Sequence, residues 1–200
     1  YEVGLKSYWL DHRVQLDVSA FYIDWSDIQV RLYRPDGVTY GTNAGGARIR
    51  GVEMSSAWRP NSHIDLAANV TFLDARLSED VLAASTPLLA GQVLPGASKW
   101  QASVIGSYRW DGEYSPTFTV TDREISGAPA NLQQPFYRIN GYNQLDARFS
   151  LLFGNTEISL FATNLADRRG VTFSYGDFGE GLQNFVIRPR TVGVRLNWQM

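Results

Sequence analysis

Residues 145–162 read LDARFSLLF, then GN, then TEISLFA, and the alternation within them decides the fold. Leu145, Ala147, Phe149, Leu151 and Phe153 fall on one side of an extended chain, with Asp146, Arg148 and Ser150 on the other. Past Gly154-Asn155, Ile158, Leu160 and Ala162 part in the same way from Glu157 and Ser159. Strand side chains alternate with period two, whereas a helical period of 3.6 would scatter both sets around the axis. Two alternating runs joined by a two-residue turn form a hairpin.

The same alternation recurs in nine stretches along the chain. Their apolar sides collect Val3, Leu5 and Trp9; Val14 to Tyr22 at every second position; Val52, Met54 and Trp58; Ile64 to Phe72 at every second position; Trp100, Val104 and Tyr108; Phe118 and Val120; and Val192, Val194, Leu196 and Trp198. No charged residue falls in this apolar set. The opposite sides carry Glu2, Lys6, Asp17, Glu53, Asp65, Asp146, Arg148, Glu157 and Arg195, among many Ser, Thr, Asn and Gln. The chain is predicted to be all-β.

The connections alternate short and long. Leu10–Arg13, Arg59–Ser62, Asp111–Glu113 and Gly154–Asn155 are short; residues 34–46, 77–99, 122–143 and 166–188 are long. Trp9, Trp58, Trp110 and Phe153 lead into the short turns, and Trp198 stands near the chain end. Tight turns at one end, long loops at the other and an aromatic row at the tight end describe an outer-membrane β-barrel. A soluble sandwich would bury the same apolar face against a second sheet. Its wet face would, however, be richer in Lys and Glu, and Greek-key connections would mix the turn lengths. The reading adopted is an antiparallel transmembrane β-barrel portion of about nine strands.

Bulk composition agrees. In 200 residues, 44% are apolar, 19% are charged and the net charge is −2, so no charge imbalance points to nucleic acid. A mean hydropathy of −0.22 is no objection, because barrel strands are half polar. No apolar run is long enough for a transmembrane helix. Without cysteine there is no disulfide framework and no thiolate metal site. The chain opens at Tyr1 inside a strand pattern without an export signal. It is therefore expected to be the C-terminal piece of a longer precursor, and open edges in lipid require further strands.

Short motifs now fall into order. Tyr1-Glu2-Val3-Gly4-Leu5-Lys6-Ser7, Asn43-Ala44-Gly45 with Ile49-Arg50-Gly51-Val52-Glu53, Leu145-Asp146-Ala147-Arg148, Asn164-Leu165-Ala166-Asp167 and Pro189-Arg190-Thr191-Val192-Gly193-Val194 resemble, in sequence order, the barrel of TonB-dependent receptors, the active nutrient importers of the Gram-negative outer membrane. The resemblance implies a barrel of about 22 strands with a plugged lumen, of which residues 1–200 would form the C-terminal part. It implies a location in the outer membrane. It also implies as partners the membrane lipid, the protein's own N-terminal plug, TonB acting through the missing N-terminal part, and a small nutrient ligand of siderophore, cobalamin or oligosaccharide type. The family commonly ends in an aromatic residue, where this chain has Met200. A passive porin or adhesin barrel and a soluble carbohydrate-binding β-sandwich are the rival readings.

No catalytic, cofactor or metal site emerges. His12 and His63 lie in separate short turns and read as solvated. Asp146 and Glu157 flank a hairpin on the polar side, where paired carboxylates could do acid–base work but lumen charges fit better. Ligand contact is expected instead from long-loop aromatics and arginines: Tyr33, Arg34, Tyr40, Tyr137, Arg138, Phe173 and Tyr175. The alternative for each is packing between loops. The Gly-rich last loop suits a mobile lid.

Overall fold

The computed structural model describes residues 1–34, 36, 38–43, 45–82, 87–133, 137–177 and 181–199, with residues 33, 39, 175–177 and 181–182 described by backbone only. Fifteen strands follow in chain order: β1 (Glu2–Trp9), β2 (Val14–Trp25), β3 (Gln29–Tyr33), β4 (Thr39–Asn43), β5 (Ala47–Trp58), β6 (Ile64–Leu77), β7 (Trp100–Arg109), β8 (Thr117–Ile125), β9 (Ala128–Pro129), β10 (Arg138–Ile139), β11 (Tyr142–Phe153), β12 (Thr156–Thr163), β13 (Val171–Asp177), β14 (Gly181–Val186) and β15 (Thr191–Trp198). Nine of them form one antiparallel sheet in the order β1-β2-β5-β6-β7-β8-β11-β12-β15. Every neighbour in that sheet follows the last in the chain, an up-and-down meander with no crossover. Neither β1 nor β15 has a second neighbour among the described residues.

The register joins residues of like polarity across each pair. Val3 lies opposite Ala20, Ala20 opposite Val52 and Val52 opposite Phe72. At the other edge Leu160 lies opposite both Phe149 and Val194. A one-residue slip in any ladder would carry polar side chains onto the apolar face. The apolar face stays uncovered: Leu160 is 56% exposed, Val194 71% and Leu196 68%. No second sheet of comparable size is present among the described residues to bury it, which removes the sandwich reading. Trp110 sits between Tyr108 and Phe149 with ring centroids 4.7 and 6.4 Å away, and Tyr114 lies 4.6 Å from Phe153. These rings make an aromatic row at the short-turn end.

Glycines admit two large rings on the polar face. A Cβ at Gly51 would meet the Phe21 ring at 2.5 Å, and one at Gly193 would meet the Phe161 ring at 2.7 Å. Both phenylalanines stand directly opposite their glycine in the register. Rings laid over strand glycines pin the pairing.

Three expectations need correction. The six strands outside the main sheet pair as hairpins β3–β4, β9–β10 and β13–β14, so three long loops carry secondary structure of their own. The turn expected at Asp111–Glu113 runs from 110 to 116: Pro116 cannot donate to the ladder, and Ser115 at φ 43° bends the chain away. The apolar face is also not free of charge along its whole height. Beyond Val52 and Phe72 the same side continues with Arg50 opposite Asp74 and Arg48 opposite Arg76. β6 has 14 residues, more than the roughly 9–11 that a strand needs to cross a bilayer. The surplus turns charged.

Candidate functional site

At the long-loop end, loops from distant parts of the chain share a small core. Ile28 and Leu32 from the first loop, Val81 and Leu88 from the second and Leu132 from the third pack on Ala47 and Leu77. Ala47 and Leu77 face each other at the tops of β5 and β6, on the polar side of the sheet by alternation from Glu53 and Thr71. Leu32, Leu88 and Ala47 are essentially inaccessible. Burying such side chains contributes about 1.5–3 kcal/mol for each large one. The loops therefore form one body resting over the upper end of the polar face. Backbone bonds extend it, from Ser78 N to Gly46 O at 2.9 Å and from Gly96 N to Pro129 O at 2.9 Å. β10 in the third loop also contacts β13 in the fourth.

The expected ligand-contacting residues divide on this body. Tyr40 packs against the shared core, so packing accounts for it. Tyr33 and Tyr175 lie at strand positions opposite Thr39 and Gln183, and their side chains fall outside the described set. Arg34 is exposed and pairs with Asp36 at 3.1 Å. Tyr137 is half-buried, its amide donating to Asn131 Oδ1 at 2.9 Å. Arg138, one residue on, is exposed and opposite Pro129. Phe173 faces Phe185 with ring centroids 5.9 Å apart, and both are more than half exposed. The structure gathers the first three loops into one body. It leaves Arg138 and the Phe173–Phe185 pair exposed.

Below the loops the polar face is laced by short-range pairs. Arg123 approaches Asp146 at 3.4 Å, Arg148 approaches Glu157 at 3.8 Å, and Ser107 bonds Thr119 at 2.9 Å. Arg195 lies 5.6 Å over the Phe161 ring, a cation–π contact. Asp146 and Glu157 do not form a catalytic pair. Glu157 sits opposite Leu152, six positions along β11 from Asp146, about 20 Å at the rise of a strand. His12 lies beside Tyr8, and His63 takes Arg109 O at 3.0 Å through Nδ1. The two histidines sit in separate turns.

The motif Asn164-Leu165-Ala166-Asp167 proves to be a latch for the last long loop. Asn164 is 1% exposed. Its Nδ2 donates to the carbonyls of Arg168 and Arg188 at 2.9 and 3.0 Å, and its Oδ1 accepts from Arg168 N at 2.9 Å. Its own amide donates to Asp146 Oδ1 at 2.8 Å. Asp167 accepts from Arg190 N at 2.9 Å and from Arg169 at 3.0 Å. The Arg190 amide and the Arg169 guanidinium together hold the Asp167 carboxyl below its ordinary 3.8. Both ends of the loop are thus closed on two side chains. The motif is visible in the sequence, but its partners Arg188 and Arg190 lie more than twenty residues away.

A family model described as "TonB dependent receptor-like, beta-barrel" matches residues 1–165. The ferric-pyoverdine M114 receptor PbuA of Pseudomonas sp. (strain M114) is 25% identical over 202 residues, covering 95% of this chain and 23% of that protein. The crystal structure of the ferric yersiniabactin uptake receptor FyuA from Yersinia pestis aligns with a TM-score of 0.77 at 22% identity, covering 96% of this chain and 28% of that one. The siderophore receptor PiuA from Acinetobacter baumannii aligns with the same TM-score at 18% identity, covering 98% and 28%. The chain spans about a quarter of the length of these proteins, and its nine-stranded sheet is a sector of a barrel wall.

Proposed function

As the chain belongs to the TonB-dependent receptor β-barrel family, we propose that it forms the C-terminal wall and outer loops of an outer-membrane importer for ferric siderophores. The apolar face meets lipid and the polar face lines the lumen. Short turns point to the periplasm and long loops to the medium, as turn length sets orientation in such barrels. The N-terminal plug would occupy the lumen against the paired charges of the wall, and TonB would act on the missing N-terminal part.

The observation that carries this reading is the loop body over the upper polar face, built on Ala47 and Leu77. A passive porin keeps an aqueous channel, whereas folded loops above the wall suit capture of a scarce ligand before gated passage. Siderophores take precedence over cobalamin and oligosaccharides because PbuA, FyuA and PiuA are all named for siderophores or their ferric complexes. Ferric siderophores present clustered oxygens around a compact, often anionic complex. The open Arg138 and the exposed Phe173–Phe185 pair offer charge and flat apolar area to such a ligand.

Radio-iron uptake tests the proposal. Iron-starved cells supplied with their own purified siderophore should lose uptake when the gene is deleted, regain it on complementation, and lose it again when the inner membrane is de-energised. Uptake that survives deletion, or that ignores de-energisation, would contradict it.

A further inference from the structure

Above the lipid-facing apolar band, the outward side of β5 and β6 turns cationic. Tyr22, Arg50 and Asp74 align across β2, β5 and β6, and one step higher Asp24, Arg48 and Arg76 do the same. Asp74 alone accepts from two arginines, Arg50 at 3.0 Å and Arg76 at 2.6 Å. Arg48 is exposed, with Arg76 directly opposite on one side and Asp24 on the other, and its side chain makes no ion pair or hydrogen bond among the described residues. Like charges directly opposite on a sheet are destabilising, and on this face the two carboxylates of Asp24 and Asp74 stand against three arginines. On the lumen side, by contrast, Arg123 and Arg148 each have their own carboxylate.

The arginines also line real concavities. A cavity of about 320 Å³ is bounded by Tyr22, Arg48, Arg50, Asp74 and Arg76 on the strands, with Ala90 and Gly91 on the overhanging second loop. The loop is tied down there, since Arg76 Nη1 donates to Gly91 O at 2.9 Å. A second cavity of about 340 Å³ adjoins it, sharing Arg50, Asp74 and Arg76 and adding Lys99. The strand alternation puts Val52 and Phe72 just below, on the same outward face. Acyl chains against Val52 and Phe72 would place a headgroup at the height of Arg50 and Arg76.

We propose that the outward Arg48–Arg50–Arg76 cluster binds the phosphate groups of a phosphorylated glycolipid in the outer leaflet. Guanidinium forks match phosphate oxygens in a bidentate manner, and a partly dehydrated interface strengthens each bond. Asp74 fixes two of the forks and leaves Arg48 free to close on the ligand. The patch is local: two strands away, Asp122 and Glu124 occupy the same outward face opposite Val104 and Ala102 and would repel an anion. The inference rests on the barrel orientation proposed above.

The full-length receptor, purified in neutral detergent, should be titrated by native mass spectrometry with three probes: bisphosphorylated lipid A, phosphatidylcholine and inorganic pyrophosphate. The expected result is a preference of about tenfold for lipid A over phosphatidylcholine, the scale of one charge-assisted contact. Arg48→Gln, at an exposed residue without partners, should weaken lipid A by several-fold without altering heat-modifiable migration. The double change Arg48→Gln/Arg76→Gln should abolish the preference, Arg48→Lys should retain most of it, and Glu124→Gln should not weaken it. Equal binding of lipid A by the receptor and the double variant would overturn the proposal. So would pyrophosphate binding as tightly as lipid A, which would assign the site to a soluble phosphate. A cysteine at Leu89, labelled on the intact cells before the receptor is purified from them, separates the orientation from the lipid site. Surface labelling without lipid selectivity removes the lipid site alone, while labelling only from the periplasm removes the orientation on which it rests.

Discussion

Asn164 reaches across the base of the last long loop to the carbonyl of Arg188, 3.0 Å away and twenty-four residues further along the chain. The bond closes the loop from inside, where Asn164 is nearly inaccessible. Asn164 also sits at φ 51°, a conformation that Asn tolerates better than most residues. Losing the buried hydrogen bonds costs about 1–3 kcal/mol. Asn164→Gly should show that loss, and Asn164→Ala should add about 1 kcal/mol of left-handed strain. Limited trypsin digestion at Arg168 and Arg169, with thermal midpoints of the full-length receptor, checks the ranking Asn, then Gly, then Ala.

The second residue of the latch gives a pH dependence. Asp167 titrates below its ordinary 3.8 because it accepts from the Arg190 amide and lies beside Arg169. A carboxylate with a lowered folded-state pKa stabilises the fold fully above the unfolded value, and that contribution fades as pH falls through the folded one. Proteolytic protection of the loop should therefore hold from neutrality down to about pH 4 and weaken below it. Asp167→Asn should flatten the curve. An unchanged profile in the Asn variant would remove Asp167 from the latch. Salt should blunt the effect, since the residue is at the surface.

The two faces predict opposite responses to charge. Leu160→Arg, on the apolar face, should destabilise the barrel by about 2–4 kcal/mol if it lies near the bilayer midplane. Ser55→Arg should be tolerated, because Ser55 is exposed on the lumen face opposite Asp17 and Asn69. Urea unfolding in lipid vesicles measures both, and equal midpoints would refute the assignment of faces.

Much of this wall is legible in the sequence because the signal is local. Period-two alternation sorts Leu160 from Ser159 and Val194 from Arg195 without knowledge of their partners. Gly51 and Gly193 sit in recognisable motifs, although the phenylalanine rings above them come from neighbouring strands. What escapes the sequence is non-local. Ile28, Leu32, Val81, Leu88 and Leu132 belong to three loops and share no period. The alternation of Val30 and Leu32 merges with β2, because only a short bend at Ser26 and Asp27 divides them. Of the expected ligand residues, Tyr40 turned out to pack on the shared core, which a single aromatic in a loop cannot announce. The side chains of Tyr33 and Tyr175, and the whole of Met200, lie outside the described residues.

Residues 1–200 expressed alone should not give a closed barrel. Among the described residues β1 and β15 each have one free edge, and unpaired edges in lipid cost several kcal/mol per unsatisfied group. Refolding into detergent should yield aggregates or protease-sensitive species. A heat-modifiable, protease-resistant monomer would contradict the larger-barrel reading.

The most direct test of the account asks which end of the sheet meets the medium. Single cysteines at Leu89 and Gly176, both in long loops, should react with an impermeant maleimide on intact cells expressing the full-length receptor. Cysteines at Asn61 and Asn155, both in short turns, should react only after the outer membrane is breached. Residues 1–200 contain no native cysteine, so this segment adds no background. Labelling of the long-loop positions alone on intact cells is the predicted result. Labelling of Asn61 and Asn155 with Leu89 and Gly176 protected would reverse the topology and remove the ligand-capturing loops from the cell surface.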